Sequence, residues 1–202
     1  MKKTLLAVAA LCAMTSGAAM AQQQDGKWQV RARAVHLDSS NGGPAGAVGV
    51  SINNKTLPEI DISYYFTPNF AAELILTVPQ KQDVRLNGAK LGTLKHLPPV
   101  LLAQYHVTGL GAFKPYVGAG LNYTRFSSVK IAGGAVTIDK NSFGAAIQVG
   151  FDYALDKNWS LNFDVKKVSL GTKVDATGAG LGKLGKLKVD PVLVGVGLGY
   201  RF

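Results

Sequence analysis

The feature that most restricts the fold is a strict two-residue alternation at the carboxyl end of the chain. From Val192 to Phe202 every second residue is apolar, and the positions between them carry glycines, Leu193 and Arg201. A period of two indicates a β-strand whose two faces lie in different environments. A soluble sandwich can contain such a strand. However, aromatic side chains at the end of an apolar band, here Tyr200 and Phe202, are typical of a membrane interface. The pattern therefore favours a membrane strand.

The amino-terminal segment has the features of a secretory signal peptide. Two lysines precede a short apolar stretch, Thr4–Met14, and Ala19–Ala21 fits a small-residue cleavage site. The apolar stretch is too short to span a bilayer as a helix. We therefore expect residues 1–21 to be cleaved and residues 22–202 to form one outer-membrane β-barrel domain.

Composition points to a membrane barrel without covalent cross-links. Hydrophobic residues make up 47% of the chain but lie in short segments, and lipid accepts only helices or closed sheets as spanning structures. The only cysteine, Cys12, lies in the expected signal peptide. The formal charge of +10 falls to +8 when the two lysines of that peptide are removed. For an exported protein this charge indicates outer-membrane lipids and lipopolysaccharide as partners, and no nucleic acid.

Alternation of this kind recurs in eight segments, and the connections between them are alternately long and short. Transmembrane barrels have short periplasmic turns and long external loops. The sequence thus predicts an all-β fold, an eight-stranded antiparallel transmembrane β-barrel in the bacterial outer membrane with both termini in the periplasm. The long connections, residues 38–56, 79–97, 127–141 and 169–188, are expected to be extracellular loops. The predicted strands are Trp28–Leu37, Glu59–Phe66, Phe70–Val78, Val100–Val107, Tyr116–Thr124, Phe143–Tyr153, Trp159–Lys166 and Val192–Phe202.

The lumen-facing positions divide into a charged lower half and an apolar upper half. Both signs of charge occur near the periplasmic end, and we expect them to pair because an unpaired buried charge is very costly. The expected plug consists of Arg31, Glu73, Asp152, Asp164 and Arg201. Further charges, Arg33, Glu59, Asp61 and Lys166, are placed nearer mid-height.

The apolar upper lumen indicates a funnel for a small hydrophobic ligand, since a water-filled pore would be polar there. Eight strands also leave too little room for a wide channel. The alternative is that these side chains only pack beneath the loops. The expected funnel residues are Val35, Leu37, Leu57, Ile75, Val100, Leu102, Phe126, Val168 and Leu193, with Leu170 beside them.

The histidines give little support for an enzyme. His36, His96 and His106 lie on different predicted elements without the spacing of metal ligands. His96 is the only one near the outer rim, where lipid-modifying barrels carry a catalytic histidine, and no serine or aspartate is its clear partner. We expect a solvated loop histidine there, and no catalytic residue, metal or cofactor.

Three segments carry a resemblance to a known family. They are Leu97–Pro99 with Gln104–His106, Lys114–Thr124, and Asp190–Pro191 leading to Gly195–Phe202. In this order and architecture the chain resembles the OmpW family of small outer-membrane barrels. The resemblance implies uptake of small hydrophobic molecules. The ending at Tyr200 and Phe202 also resembles the signal that the barrel assembly machinery recognises.

The leading hypothesis is uptake through the funnel with lateral release into the membrane. An apolar ligand would avoid the charges below it by leaving through the wall beside Pro98 and Pro99, which cannot donate ladder hydrogen bonds, or beside Pro191. These prolines could instead simply end their strands. Two other functions stay open: a structural, stress-related or adhesion barrel with a plugged lumen, and an outer-membrane enzyme. The loop lysines Lys173, Lys183, Lys186 and Lys188 fit either contact with lipopolysaccharide phosphates or simple solvation.

Overall fold

The computed structural model describes residues 26–202, so the expected signal peptide lies outside it. No helix in these residues is long and apolar enough to cross a membrane. The elements are β1 (Trp28–Asp38), α1 (Gly43–Ala47), β2 (Val50–Ile52), β3 (Lys55–Tyr65), β4 (Phe70–Thr77), β5 (Gln80–Leu86), β6 (Ala89–Leu97), β7 (Val100–His106), β8 (Phe113–Ile131), β9 (Thr137–Ile138), β10 (Asn141–Ala154), β11 (Trp159–Val168), β12 (Gly171–Ala176), β13 (Gly182–Lys188) and β14 (Val192–Arg201).

Eight of these strands close into an antiparallel barrel, which confirms the predicted fold class. Their order around the wall is β1-β3-β4-β7-β8-β10-β11-β14, and β14 returns to pair with β1. At the seam, Trp28 and Phe202 exchange backbone hydrogen bonds of 3.0 and 2.8 Å. Closure pairs both edges of the sheet, as a strand in hydrocarbon requires.

The two faces of the wall reverse the arrangement of a soluble barrel. On β10, lipid-facing Ile147 is 60% exposed, whereas its lumen-facing neighbour Gln148 is 4% exposed. Exposed aromatic rings surround the end of the barrel that has the short turns. Trp159 and Tyr200 form one such pair, with their ring centroids 5.0 Å apart. Apolar side chains outside and polar ones inside are the pattern of a membrane barrel.

The four long connections contain regular structure that the sequence did not predict, and most of the second and fourth connections is β-strand. The second connection forms the β5–β6 hairpin, which turns at Asn87-Gly88 with φ of 49° and 84°. Asn-Gly with two positive φ values suits the tight turn of a hairpin. The hairpin pairs with the upper part of β8, and β2 adds to its other edge. Alternation was hard to detect there because Lys81 and Gln82 put polar groups on both faces.

A second, smaller sheet covers the extracellular end from the opposite side. It consists of β9, β12 and β13, and α1 lies beside β13 through a bridge between Gly42 and Lys188. Its inner residues, such as Val174 and Leu187, belong to the same apolar core as the upper lumen. The barrel is therefore capped by two extracellular sheets that pack face to face.

Changing Phe202 to Asp should strongly reduce assembly into the outer membrane. The Phe202 ring is 58% exposed at the lipid-facing seam and stacks 6.0 Å from Tyr200, measured between ring centroids. A carboxylate there would have to be desolvated at the membrane interface. The measurement is the amount of heat-modifiable barrel in isolated outer membranes.

Val48→Asp is the matched control, because Val48 is equally exposed but lies on the extracellular cap. It should assemble at the wild-type level. Wild-type amounts of barrel for Phe202→Asp would contradict the importance of this side chain.

Candidate functional site: an apolar column above a buried charged cluster

A network of buried ion pairs crosses the lower lumen, and we call it the charged cluster. It joins three cations to five carboxylates among the described residues. All of these side chains come from the inward-facing positions of β1, β3, β4, β10 and β11. The members are Arg31, Arg33, Lys166, Glu59, Asp61, Glu73, Asp152 and Asp164.

Arg31 holds the lower level of the cluster together. Its guanidinium lies 3.0 Å from Asp61, 3.2 Å from Glu73 and 2.7 Å from Asp152. It also donates a 3.0 Å hydrogen bond to the Ser63 hydroxyl. Arg31 is fully buried, so these partners replace the water that it loses. The expected proximity of Arg31, Glu73 and Asp152 is present in the structure.

Arg33 and Lys166 form the upper level. Lys166 contacts Glu59 closely and lies 3.2 Å from Asp164. Asp164 therefore belongs with Arg33 and Lys166, although the sequence placed it nearer the periplasm. The network is wider than the expected plug, which omitted four charges that β1, β3 and β11 bring into it. The contacts of Arg33 are Glu59 at 3.0 Å, Asp61 at 2.6 Å, Glu73 at 3.1 Å and Asp164 at 3.1 Å.

Arg201 lies on the periplasmic side of the cluster and contacts an aromatic ring. Its guanidinium is 3.6 Å from the centroid of the Tyr65 ring, and its Nε donates a 2.6 Å hydrogen bond to the Gly26 carbonyl. These residues line a periplasmic cavity of about 630 Å³, together with His106 and Asp152. The charged cluster thus separates this cavity from the upper lumen.

The expected funnel residues all face inward, beside the upper part of the cluster or above it, and we call them the apolar column. Each is buried, but they are packed into one core with side chains of the two extracellular sheets. The space between those sheets is a slot of only about 30 Å³, lined by residues such as Val84, Leu94, Val174 and Leu187. The funnel is therefore filled in this structure. The sequence missed the slot because its lining comes from the segments interpreted as loops.

His96 is buried and not solvated, which corrects the expectation from sequence. It points inward from β6 with 2% exposure, because the segment interpreted as a loop is a strand. Within residues 26–202 no histidine hydrogen-bonds a serine or aspartate; His36 contacts Thr56 and His106 contacts Gln104. These residues also contain no group of three or more His, Cys, Asp or Glu side chains arranged so that it could hold a metal ion. The arrangement thus offers no His–Ser or His–Asp pair for catalysis.

Pro98 and Pro99 lie at a break in the barrel wall. The β4–β7 ladder ends at Ile75–Val100, and pairing resumes in the extracellular β5–β6 hairpin at Gln80–His96. Four residues on one side of the break, 76–79, face three on the other, 97–99, so the register cannot continue across it. Pro79 adds a third proline that cannot donate a ladder hydrogen bond.

Replacing Arg31 with Met should destabilise the barrel by about 3–5 kcal/mol, since the carboxylates around it would lose their shared cation. Ion leakage through planar bilayers should also rise as the cluster loosens. Urea unfolding in lipid vesicles measures the free energy.

Lys90→Met is the control, because Lys90 also pairs with a carboxylate, Asp83 at 2.7 Å, but its side chain is 55% exposed. Its effect should stay within about 1 kcal/mol. Equal unfolding midpoints for the two variants would show that the cluster does not hold the lumen together.

Comparison with known proteins agrees with this architecture. The family model described as the OmpW family matches residues 22–202. An uncharacterised outer-membrane protein of Sinorhizobium fredii, y4mB, is 46% identical over 87% of this chain and 80% of its own length. The crystal structure of the outer-membrane protein OprG from Pseudomonas aeruginosa superposes with a TM-score of 0.77 at 26% identity, over 91% of this chain and 99% of OprG.

One further relative has a name that refers to metabolism. PahQ of Pseudomonas aeruginosa, named a dibenzothiophene metabolism operon protein, is 29% identical over 79% of this chain and 76% of its own length. The family match over the whole expected mature chain, the closed barrel and the similarity to OprG agree with one another. This chain therefore belongs to the OmpW family of β-barrel proteins of the bacterial outer membrane.

Proposed function

We propose that this barrel takes up small hydrophobic molecules through the apolar external funnel and releases them sideways into the outer membrane. The observation that carries the proposal is where the apolar column ends. It meets the charged cluster below and the break in the wall at its side.

The charged cluster makes an axial exit unfavourable for an apolar ligand. Arg31 and Arg33 are buried in the lumen and surrounded by carboxylates. A hydrocarbon passing between them would separate ion pairs without offering a polar group in exchange, and the separated charges would stay desolvated. Movement from the apolar column into lipid avoids this cost.

The break in the wall supports a lateral exit. On its inner side lie Ile75 and Val100, both in the apolar column. On its outer side Val78 is 60% exposed and Leu97 is 37% exposed, where the barrel faces lipid. The buried Thr77 hydroxyl beside the break has no hydrogen-bond partner in the described part of the chain. A ligand moving outwards here would pass mostly apolar side chains and would meet only uncharged polar groups, such as the Thr77 hydroxyl.

The proposed ligands are small, and the cap must open to admit them. A slot of about 30 Å³ holds roughly one water molecule. Because the facing side chains are almost all apolar, separating the two sheets breaks few hydrogen bonds, and a hydrophobic ligand would restore the lost contacts. The name of PahQ, which refers to dibenzothiophene metabolism, is in keeping with an apolar cargo.

Tight packing of the column favours one second candidate, a structural or adhesion barrel with no transported ligand. Side chains of the extracellular sheets fill the upper lumen, and the charged cluster fills the lower lumen. Such a barrel would be stable with both ends closed. Uptake measurements distinguish the two functions, because only the first requires the cap to open.

The surface also supports contacts with membrane components. Lys173 and Lys186 are exposed and face each other across the β12–β13 hairpin, near Lys183 and Lys188. Like charges directly opposite each other are destabilising, so anionic lipopolysaccharide phosphates would stabilise this face. At the other end, the aromatic pair Tyr200 and Phe202 is the proposed signal for the barrel assembly machinery.

Replacing both Pro98 and Pro99 with Val should slow uptake several-fold. Valine supplies the two missing N–H donors and favours strand structure, so the break should narrow. The measurement is the initial rate at which cells that depend on this barrel accumulate radiolabelled naphthalene or a small alkane, at equal amounts of assembled barrel.

Pro191→Val is the matched control, because Pro191 leads into β14 on another part of the wall, where β14 pairs with both β1 and β11 from Val192 onward. It should leave the rate unchanged. Wild-type uptake by the Pro98/Pro99 variant would exclude this exit, and no uptake by the wild-type barrel would favour the structural candidate.

A further inference from the structure

His96 lies at the upper edge of the break in the wall, on the inner face of β6. It is paired in register with Gln80 on β5 and with Phe126 on β8. Leu94, two residues farther along the same face and about 7 Å away, lines the slot between the extracellular sheets. His96 therefore stands between the place where a ligand would enter and the place where it would leave.

The imidazole of His96 is buried without a hydrogen-bond partner. Neither Nδ1 nor Nε2 has a partner among residues 26–202, although the side chain is only 2% exposed. The nearby polar side chain of Gln80 donates to the Val78 carbonyl, and the Phe126 ring lies 6.4 Å away between centroids. A neutral imidazole thus presents one donor and one acceptor to an apolar interior.

Leaving two such groups unpaired costs free energy that a leucine of similar size would not incur. Nearly all buried polar groups in folded proteins have partners, so this one calls for an external partner. The partner must fit an apolar site that contains one donor and one acceptor. A hydroxyl can pair with either ring nitrogen, because it both donates and accepts, and it carries no charge that would have to be desolvated.

We infer that His96 binds the polar end of amphipathic ligands, namely small molecules with an apolar body and one neutral hydroxyl group. This inference rests on the proposed uptake function and specifies its substrate class. The apolar body would lie against Ile75, Val100 and Leu57 in the apolar column while the hydroxyl is held at the wall. The site would then prefer a medium-chain alcohol to the alkane of the same length.

The test compares 1-octanol with n-octane in cells that depend on this barrel for uptake. His96→Leu should lower octanol uptake roughly fivefold, the effect of losing about one buried hydrogen bond, and leave octane uptake unchanged. His96→Gln, which keeps a donor and an acceptor, should retain the preference for octanol. His106→Leu is the control, because His106 is also buried but already contacts Gln104 at 3.1 Å; its ratio of octanol to octane uptake should equal the wild-type ratio.

A binding measurement on purified protein keeps the inference testable apart from transport. The chain has three histidines, and octanol added to the detergent-solubilised barrel should shift the ring nitrogen resonances of His96 but not those of His36 or His106. An unshifted His96 would overturn the inference. So would a His96→Leu barrel that is more stable than wild type and takes up both compounds in the wild-type ratio, which is the result expected if only water occupies the site. Those results would leave hydrophobic uptake intact, whereas a wild-type barrel that admits neither compound would overturn the proposed function as well.

Discussion

The structure depends on one constraint, which is that a backbone polar group in hydrocarbon must find its partner within the protein. Pairing of β14 with β1 meets it for the sheet as a whole, because it leaves neither edge of the barrel unpaired. An interruption of backbone pairing in the wall is therefore an exception that needs a physical reason. At the break beside Pro98 and Pro99 three prolines remove donors at the upper end of the wall, so an interruption there costs less than elsewhere.

The same two-residue period that makes the outside apolar allows the inside to be divided by height. Below, three cations and five carboxylates form one connected network of buried ion pairs. Above, aliphatic side chains exclude water. Neither layer alone would direct a ligand sideways. Together they place a polar barrier beneath an apolar space. An apolar ligand that left through the wall would therefore disturb fewer ion pairs than one that left along the barrel axis.

Much of the barrel could be predicted from the sequence, but its cap could not. Strands with one face in lipid, such as β10 and β14, show a clear alternation because each face meets a different solvent. The β5–β6 hairpin stands in water on its outer face and carries glutamines at Gln80 and Gln82 on its inner face, so the alternation there is weak. For this reason His96 was expected to be solvated. The two-residue strand period was enough to predict which residues face the lumen. The pairing of Asp164 with Arg33 depends on strand tilt, which a single sequence does not encode locally.

Strand β8 holds one side of the extracellular cap to the barrel more firmly than the other. Its 19 residues run without interruption from the periplasmic edge to the top of the extracellular cap, a length of roughly 60 Å. Because β6 pairs with its upper part, backbone hydrogen bonds hold the β5–β6 hairpin to the barrel wall. The β12–β13 hairpin instead follows the barrel strands through two short links, at Ser169–Leu170 and Val189–Pro191, and its other backbone pairings are with β9 and Gly42. Separating the β12–β13 side from the slot would therefore break fewer backbone ladder pairs than separating the β5–β6 side, and it would leave the register of the barrel intact.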